Sequence, residues 1–131
     1  MADRQRFRRG DVHMAGYAFP HEREPAAAPG GEKERPVLIV QNDEDNGNER
    51  YPLALAAPIT TQKTGRVYDQ DVLLTAGEAN LQQDSKVLLG LAQPFLKARI
   101  GRRLGRLSPP KMREVDLKLL RLFGFVRKPE A

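Results

Sequence analysis

The stretch RPVLIVQND, residues 35–43, decides the fold. Its apolar part, Pro36 to Val40, is a continuous run rich in branched residues, which is typical of a strand buried on both faces. Proline has no backbone N–H, so we expect Pro36 at the first position of this strand. Arg35 then stands at the entrance of the strand. Because a residue before proline is confined to extended conformations, its side chain leaves in a defined direction.

A second informative segment is AAPITT, residues 56–61, at the end of a strand predicted over Leu53 to Thr60. Pro58 inside this strand predicts a sheet edge or a bulge, because proline cannot donate to a central ladder. The polar stretch Asp43 to Arg50 predicts a turn between the two strands. Two neighbouring strands are therefore expected, one entered at Arg35 and the other ending in hydroxyls.

The remaining elements are predicted from periodicity and breaker residues. Alternating side chains predict a strand over residues 10–19. Three prolines, an alanine run and paired glycines predict one long loop at 20–34, a kind of segment that often carries function. Further strands are predicted at 71–77 and 86–95, and a short strand or helical turn at 100–107.

The last predicted element is a helix over residues 109–124, with Ser108 as N-cap and Gly124 at its end. Its apolar face comprises Met112, Val115, Leu119, Leu122 and Phe123, and Leu117 and Leu120 widen it. Several short strands and one helix predict a small, strongly bent β-barrel.

Composition limits the function classes. A chain of 131 residues is expected to form one domain, over 9–126, with a basic arm at 1–8 and a tail at 127–131. The absence of cysteine excludes disulfides and thiolate metal sites and fits a cytoplasmic protein. We expect no secretory signal and no membrane span.

The net charge of +5 suits a polyanion or an acidic protein partner. Seven basic residues and no acid fall between Lys97 and Arg113. This run is either a binding surface for RNA backbone or simply a solvated cationic face.

These segments together resemble the MazF/PemK family of toxin endoribonucleases. The resemblance rests on Arg9-Gly10-Asp11, on 35–43 and on 56–60, in this order. It continues through Asp84-Ser85-Lys86-Val87-Leu88 and the helix that follows Leu107-Ser108. It implies a mainly β, SH3-like barrel with a C-terminal helix, present as a homodimer, and RNA cleavage without a metal or cofactor.

The resemblance implies that Arg35 and Thr60 are catalytic. A planar guanidinium can grip two phosphoryl oxygens at once, and a threonine hydroxyl can orient one. Without the resemblance, Arg35 would be interpreted as a surface arginine in an ion pair, and Thr60 as a strand residue chosen for β propensity.

Candidate RNA contacts surround this pair. Phe19 ends the predicted first strand, and His21 follows it in the loop. His21 could contact the scissile site or stack on a base, although a loop histidine is commonly just solvated. The others are Glu32, Lys33, Gln62 and Gln93. His13 is interpreted as structural, and the two histidines form no recognisable metal signature.

Two segments depart from the family pattern. The loop at 29–34 keeps only Glu32 as a counterpart, and the segment 92–96 keeps Gln93 but lacks the family's arginine. Both belong to the RNA-reading surface that the family implies, so the cleavage motif does not carry over.

The leading functional hypothesis is a sequence-specific, metal-independent endoribonuclease on single-stranded RNA, inhibited by an acidic MazE-like antitoxin. A non-catalytic toxin on the same fold, like the CcdB gyrase poisons, is the alternative, and a plain nucleic-acid-binding barrel is a third. Neither of these explains why Arg35 and Thr60 occur together.

Overall fold

The computed structural model describes residues 7–17, 33–62 and 64–130. The helices within these ranges are α1 (Asp43–Asn46) and α2 (Pro109–Leu122). The strands are β1 (Asp11–Gly16), β2 (Glu34–Ile39), β3 (Leu53–Thr60), β4 (Asp71–Leu74), β5 (Ser85–Leu88), β6 (Gln93–Leu96) and β7 (Ile100–Arg106). No helix in the described part of the chain is long and apolar enough to cross a bilayer.

The strands form one antiparallel sheet in the order β4-β5-β3-β2-β1-β7, and β6 pairs with the first half of β3. β3 changes partner along its length, because residues 53–56 pair with β6 whereas Ile59 and Thr60 pair with β5. This exchange bends the sheet around its core. The predicted mainly β fold with a C-terminal helix is confirmed.

The core lies on both faces of β2 and β3. Leu38 and Ile59 belong to a cluster that includes Val115 of α2, whereas Val37 and Ala56 belong to a second cluster on the opposite face. The alternation explains why the segment after Arg35 is apolar at every position. The predicted strand buried on both faces is confirmed.

Both proline predictions are wrong. Pro36 is the third residue of β2, and it is tolerated because β3 pairs with β2 only from Val37 onward. Pro58 lies in an interior strand, opposite Val37. The Val40 N–H donates to the Leu55 carbonyl, so Val40 and Leu55 form a hydrogen-bonded pair. Hydrogen-bonded and non-hydrogen-bonded pairs alternate along an antiparallel ladder, so Val37 and Pro58, three pairs further on, form a non-hydrogen-bonded pair. The Pro58 nitrogen therefore points away from β2, toward the side of β3 where pairing changes from β6 to β5.

Several predicted boundaries also change. The predicted turn at 43–50 begins with α1, whose N-cap Asn42 accepts from the Asp45 N–H. The strand predicted at 71–77 ends at Leu74, and the one at 86–95 is broken by a 3-10 turn at Leu89–Leu91. Of the two alternatives predicted for residues 100–107, the strand is confirmed, and it spans Ile100–Arg106. Most of the loop and arm predictions, at 20–34 and 1–8, lie outside the described residues, although Phe7 is buried and Glu34 opens β2.

The predicted apolar face of the terminal helix is only partly used. Val115 is fully buried, and Met112 and Leu119 pack against the same cluster. Phe123, just past the helix, is 63% exposed, and Leu117 and Leu120 are also exposed. The prediction that Leu122 and Phe123 belong to the packing face is therefore wrong.

The side chain of Gln41 extends the hydrogen bonding between β2 and β3. Its amide nitrogen donates to the Leu53 carbonyl (2.9 Å), and its amide oxygen accepts the Leu55 N–H (3.1 Å). The same nitrogen donates to Asn46 Oδ1, and Asn46 returns a bond to the Gln41 carbonyl. A single buried amide thus fixes the register of the two strands.

We expect Gln41→Met to lower the free energy of unfolding by about 2–3 kcal/mol, because it leaves buried backbone groups of β3 unsatisfied. Urea denaturation measures this loss. Gln82→Met, at an exposed position, is the matched control and should change stability by less than about 0.5 kcal/mol. Equal effects of the two substitutions would contradict the role of Gln41.

Gly105 lets the turn at Glu78–Asn80 lie directly on β7. A Cβ at this position would lie 2.6 Å from the Ala79 carbonyl oxygen. Asn80 adds a bond from its side-chain nitrogen to the Leu104 carbonyl (2.8 Å). The turn therefore packs against an edge of the described sheet where no strand pairs.

Gly105→Ala should lower the free energy of unfolding by about 1–3 kcal/mol, because backbone must move to accept the methyl group. Gly65→Ala is the control, since a Cβ at Gly65 meets nothing within 4 Å. Thermal unfolding of the two variants tests the difference, and an unchanged melting temperature for Gly105→Ala would rule out the close contact.

Candidate functional site

Arg35 and Thr60 lie just beyond the paired part of β2 and β3. Val37–Pro58 is the last pair at this end of the two strands, and Arg35 and Thr60 each lie two residues beyond it. Side chains two residues apart on a strand share a face, so both point to the face of the second core cluster. The two residues predicted to be catalytic therefore lie on the same face of two adjacent strands, just beyond the last pair that joins them.

Arg35 is held in a defined orientation. It is half-buried and lies opposite Ala15 of β1. Its Nε donates to the Tyr17 carbonyl (3.0 Å), at the end of β1. Because the guanidinium is planar, this one bond constrains the direction of its two terminal nitrogens, the groups that can bind two oxygens of one phosphate.

Thr60 is half-buried at the last position of β3. Its Oγ1 accepts the Gln62 N–H (3.1 Å), so the hydroxyl proton can be donated elsewhere. The chain turns after Thr60, so the alternation of strand side chains does not extend to Gln62. Gln62 and Thr61 are both exposed.

Lys86 is a neighbour that sequence reasoning missed. It lies directly opposite Thr60 on β5 and is only 5% exposed. Its Nζ donates to the Arg66 carbonyl and lies 3.6 Å from Asp71 Oδ2. The row Arg35, Thr60 and Lys86 thus crosses three adjacent strands on one face. The sequence marks Lys86 only as part of the Asp84-Ser85-Lys86 string, and the pairing of β3 with β5 places it opposite Thr60.

The other predicted RNA contacts are dispersed. Lys33 is exposed, and its carbonyl accepts the Tyr17 N–H (3.0 Å), near Arg35. Gln93 lies opposite Ala56, four residues before Thr60, so it shares the face but lies roughly 13 Å along the strand. Phe19, His21 and Glu32 lie outside the described residues.

His13 has a structural environment. It is buried, its Nδ1 is hydrogen-bonded to the Gly101 carbonyl (2.9 Å), and its ring packs edge-on against Phe7. Its Nε2 lies 3.8 Å from buried Asp11. The described residues contain no cluster of three or more His, Cys, Asp or Glu arranged for a metal ion.

The basic run 97–113 is partly committed to structure. Lys97 donates to the carbonyls of Asp45 and Asn48, which anchors the segment after α1. Asp11 accepts from Arg106 (3.0 Å) and lies 3.4 Å from Arg103. Arg99, Arg102 and Arg113 are exposed, and no acidic partner among the described residues contacts them. Only part of the run is therefore available for a polyanion.

Comparison with known proteins places this arrangement in a family. Residues 8–123 match the family described as PemK-like, MazF-like toxin of type II toxin–antitoxin system. The chain is 32% identical over 109 residues to Endoribonuclease MazF of Staphylococcus saprophyticus, covering 83% of this chain and 84% of that protein.

Solved structures share the fold. One is an endoribonuclease in complex with its cognate antitoxin from a Mycobacterial species, with TM-score 0.71, 20% identity, and coverage of 92% of this chain and 98% of that one. Another is from a MazE–MazF structure of Deinococcus radiodurans, with TM-score 0.66, 21% identity, and coverage of 91% and 96%.

The family match spans both strands of the Arg35–Thr60 pair as well as the terminal helix, and the fold similarity covers nearly the whole chain. The chain therefore belongs to the PemK-like, MazF-like family of toxins of type II toxin–antitoxin systems.

Proposed function

We propose that this chain is a cytoplasmic toxin that cleaves single-stranded RNA at specific sequences, without a metal, and thereby inhibits translation and growth. Family membership and the similarity to Endoribonuclease MazF support the enzyme class. The single observation that supports the mechanism is that Arg35 and Thr60 lie on one face of adjacent strands, each two residues beyond the last pair of β2 with β3.

In the proposed reaction, the 2′-OH of one nucleotide attacks the adjacent phosphorus and the bond from phosphorus to the 5′ oxygen breaks. The nucleophile loses its proton, and the leaving 5′ oxygen gains one. The products carry a 2′,3′-cyclic phosphate and a 5′-OH. Extra negative charge develops on the non-bridging oxygens of the pentacovalent phosphorane.

Arg35 is the proposed clamp for that charge. Its Nε is already bonded to the Tyr17 carbonyl, so the guanidinium is oriented before RNA binds. A preorganised donor of this kind contributes about 3–4 kcal/mol to transition-state stabilisation. Thr60 is the proposed second donor, because its oxygen accepts the Gln62 N–H and its hydroxyl proton can be donated to a phosphate oxygen.

Basic groups near this row are proposed contacts for the RNA backbone. Lys33 lies two residues before Arg35, and Arg99 and Arg102 lie on and beside β7. The same surface suits an acidic antitoxin, and one similar endoribonuclease chain has been solved with its cognate antitoxin. We propose a MazE-like acidic partner that covers the RNA site, and a homodimer as the active form.

Purified protein incubated with a long single-stranded RNA in EDTA should give discrete cuts with 5′-OH ends. Arg35→Ala should lower kcat/KM by at least about 10²-fold, because it removes a transition-state donor. Arg35→Lys should recover only part of this loss, because an ammonium lacks the planar fork. End mapping and single-turnover rates measure both effects.

Arg50→Ala is the matched control, because Arg50 is exposed in the turn before β3, at the opposite end of that strand from Thr60. Its activity should equal that of the unaltered protein. Circular dichroism must show that Arg35→Ala remains folded. Cleavage that EDTA abolishes, or no cleavage by the unaltered protein, would contradict the proposal and favour a non-catalytic toxin.

Co-expression with an acidic antitoxin encoded beside this chain should relieve growth arrest, because the partner covers the Arg35–Thr60 row. Adding the antitoxin to the purified protein should slow RNA cleavage in proportion to complex formed. A stable complex that still cleaves RNA at the full rate would rule out inhibition by covering the site.

A further inference from the structure

A pocket of about 390 Å³ lies between the segment before β4 and the end of α2. Its walls include Tyr68 and Gln70 on one side and Lys118, Arg121 and Lys128 on the other. This volume lies within the range of small-molecule and nucleotide sites. Arg35, Thr60 and Lys86 are not among the residues that line this pocket.

The pocket has an excess of positive charge. Lys118, Arg121 and Lys128 line it, whereas Asp69 is the one acid among the lining residues. Lys128 lies 3.6 Å from Asp69 and Lys118 lies 3.5 Å from Glu114, which leaves Arg121 as the lining cation without a carboxylate partner among the described residues. The Arg121 Nε is buried and makes no hydrogen bond in the described structure. A buried donor without an acceptor is costly, so a ligand oxygen at this point would be stabilised.

An exposed aromatic ring accompanies these cations. Tyr68 is 58% exposed, and the Arg66 guanidinium lies 5.9 Å from its ring centre. Aromatic rings beside a basic groove are the usual platform for single-stranded nucleic acid, since every base has a face that can stack. An acidic peptide would use the cations but would leave the ring without a role.

A buried ion pair ties this pocket to the catalytic row. One carboxylate oxygen of Asp71 accepts the Tyr68 N–H (2.9 Å). The backbone carbonyl of Asp71 accepts a hydrogen bond from the Lys118 ammonium. The same carboxylate lies 3.6 Å from Lys86, which is directly opposite Thr60. Lys86 also holds the Arg66 carbonyl. The pocket wall is therefore anchored to the strand position that faces Thr60.

We propose that this pocket binds one nucleotide of the substrate RNA, at a position outside the cleaved bond. Arg121 would bind its phosphate and Tyr68 would stack on its base. This inference rests on the proposed endoribonuclease function, and it deepens that function by adding a subsite formed by the segment after Thr60 and by α2.

The test compares a minimal RNA that spans the mapped cut with the same RNA extended by several nucleotides on either side. With the unaltered protein, extension on one side should lower KM by about tenfold, which corresponds to one stacked base. Tyr68→Ala and Arg121→Gln should raise KM for the extended RNA by a similar factor. Arg127→Gln, at an exposed position outside the pocket, is the matched control and should leave KM unchanged.

Equal KM values for both RNAs, or a length advantage that survives both substitutions, would overturn the subsite. A weaker complex with the acidic antitoxin but an unchanged KM for RNA would also overturn it, and would assign the pocket to the protein partner. If Tyr68→Ala unfolds, two milder substitutions replace it. Tyr68→Phe should keep the lower KM for the extended RNA, whereas Tyr68→Leu, which has no aromatic ring, should lose it.

Binding of an extended RNA with a 2′-deoxy nucleotide at the cut separates this inference from the proposed function. If the protein cleaves nothing, the endoribonuclease proposal fails. Binding that is tighter for the extended RNA and weakened about tenfold by Tyr68→Ala would still support the pocket. Fluorescence anisotropy measures these affinities, and equal affinities for both lengths would overturn the pocket.

Discussion

The hydrogen bonds from the Gln41 side chain to Leu53 and Leu55 fix how β2 and β3 pair, and the candidate site depends on this pairing. A slip of one residue would turn every side chain of a strand to the other face. Arg35 would then leave the face that Thr60 occupies, and Val37 would exchange its core cluster with Leu38. The amide of Gln41 therefore specifies both the packing of the core and the position of the candidate pair Arg35 and Thr60.

The hydrogen-bonded ladder between β2 and β3 ends beside the candidate site, at Pro36. Strand pairing between β2 and β3 stops at Val37, one residue after Pro36, so the backbones are not hydrogen-bonded to one another at Arg35 and Thr60. Each end is supported from the outer side instead, Arg35 by β1 and Thr60 by β5. The site is thus an interruption in the ladder with rigid strands on both flanks, an arrangement that orients side chains without filling the space between them with backbone.

Much of this could be predicted from local sequence. The apolar run after Arg35, the end of β3 at Thr60 and the helix after Ser108 are each signalled within a few residues. The predictions that were wrong concern long-range pairing. The proline rules assumed an ordinary strand start and an edge, whereas the position of Pro58 depends on where β6 stops and β5 begins. The strand predicted at 86–95 is interrupted at Leu89–Leu91, and this segment contains no proline or polar turn that would predict the interruption.

Lys86 and Lys97 show the same limit for charged residues. Lysine is expected at the surface, so its sequence context does not distinguish a buried ion pair or a carbonyl anchor from a solvated side chain. Only the fold reveals that Lys86 faces Thr60 and that Lys97 holds the segment after α1. The basic residues between Lys97 and Arg113 therefore offer less surface to RNA than their number predicts.

The central claim is that Arg35 and Thr60 act together on one phosphate. A double-mutant cycle of Arg35→Ala and Thr60→Val, measured by kcat/KM for RNA cleavage, tests it most directly. Residues that act as a unit are strongly non-additive. The account predicts that the double variant is little slower than Arg35→Ala alone. Losses that simply add would contradict it, because they would mean that the two side chains act independently.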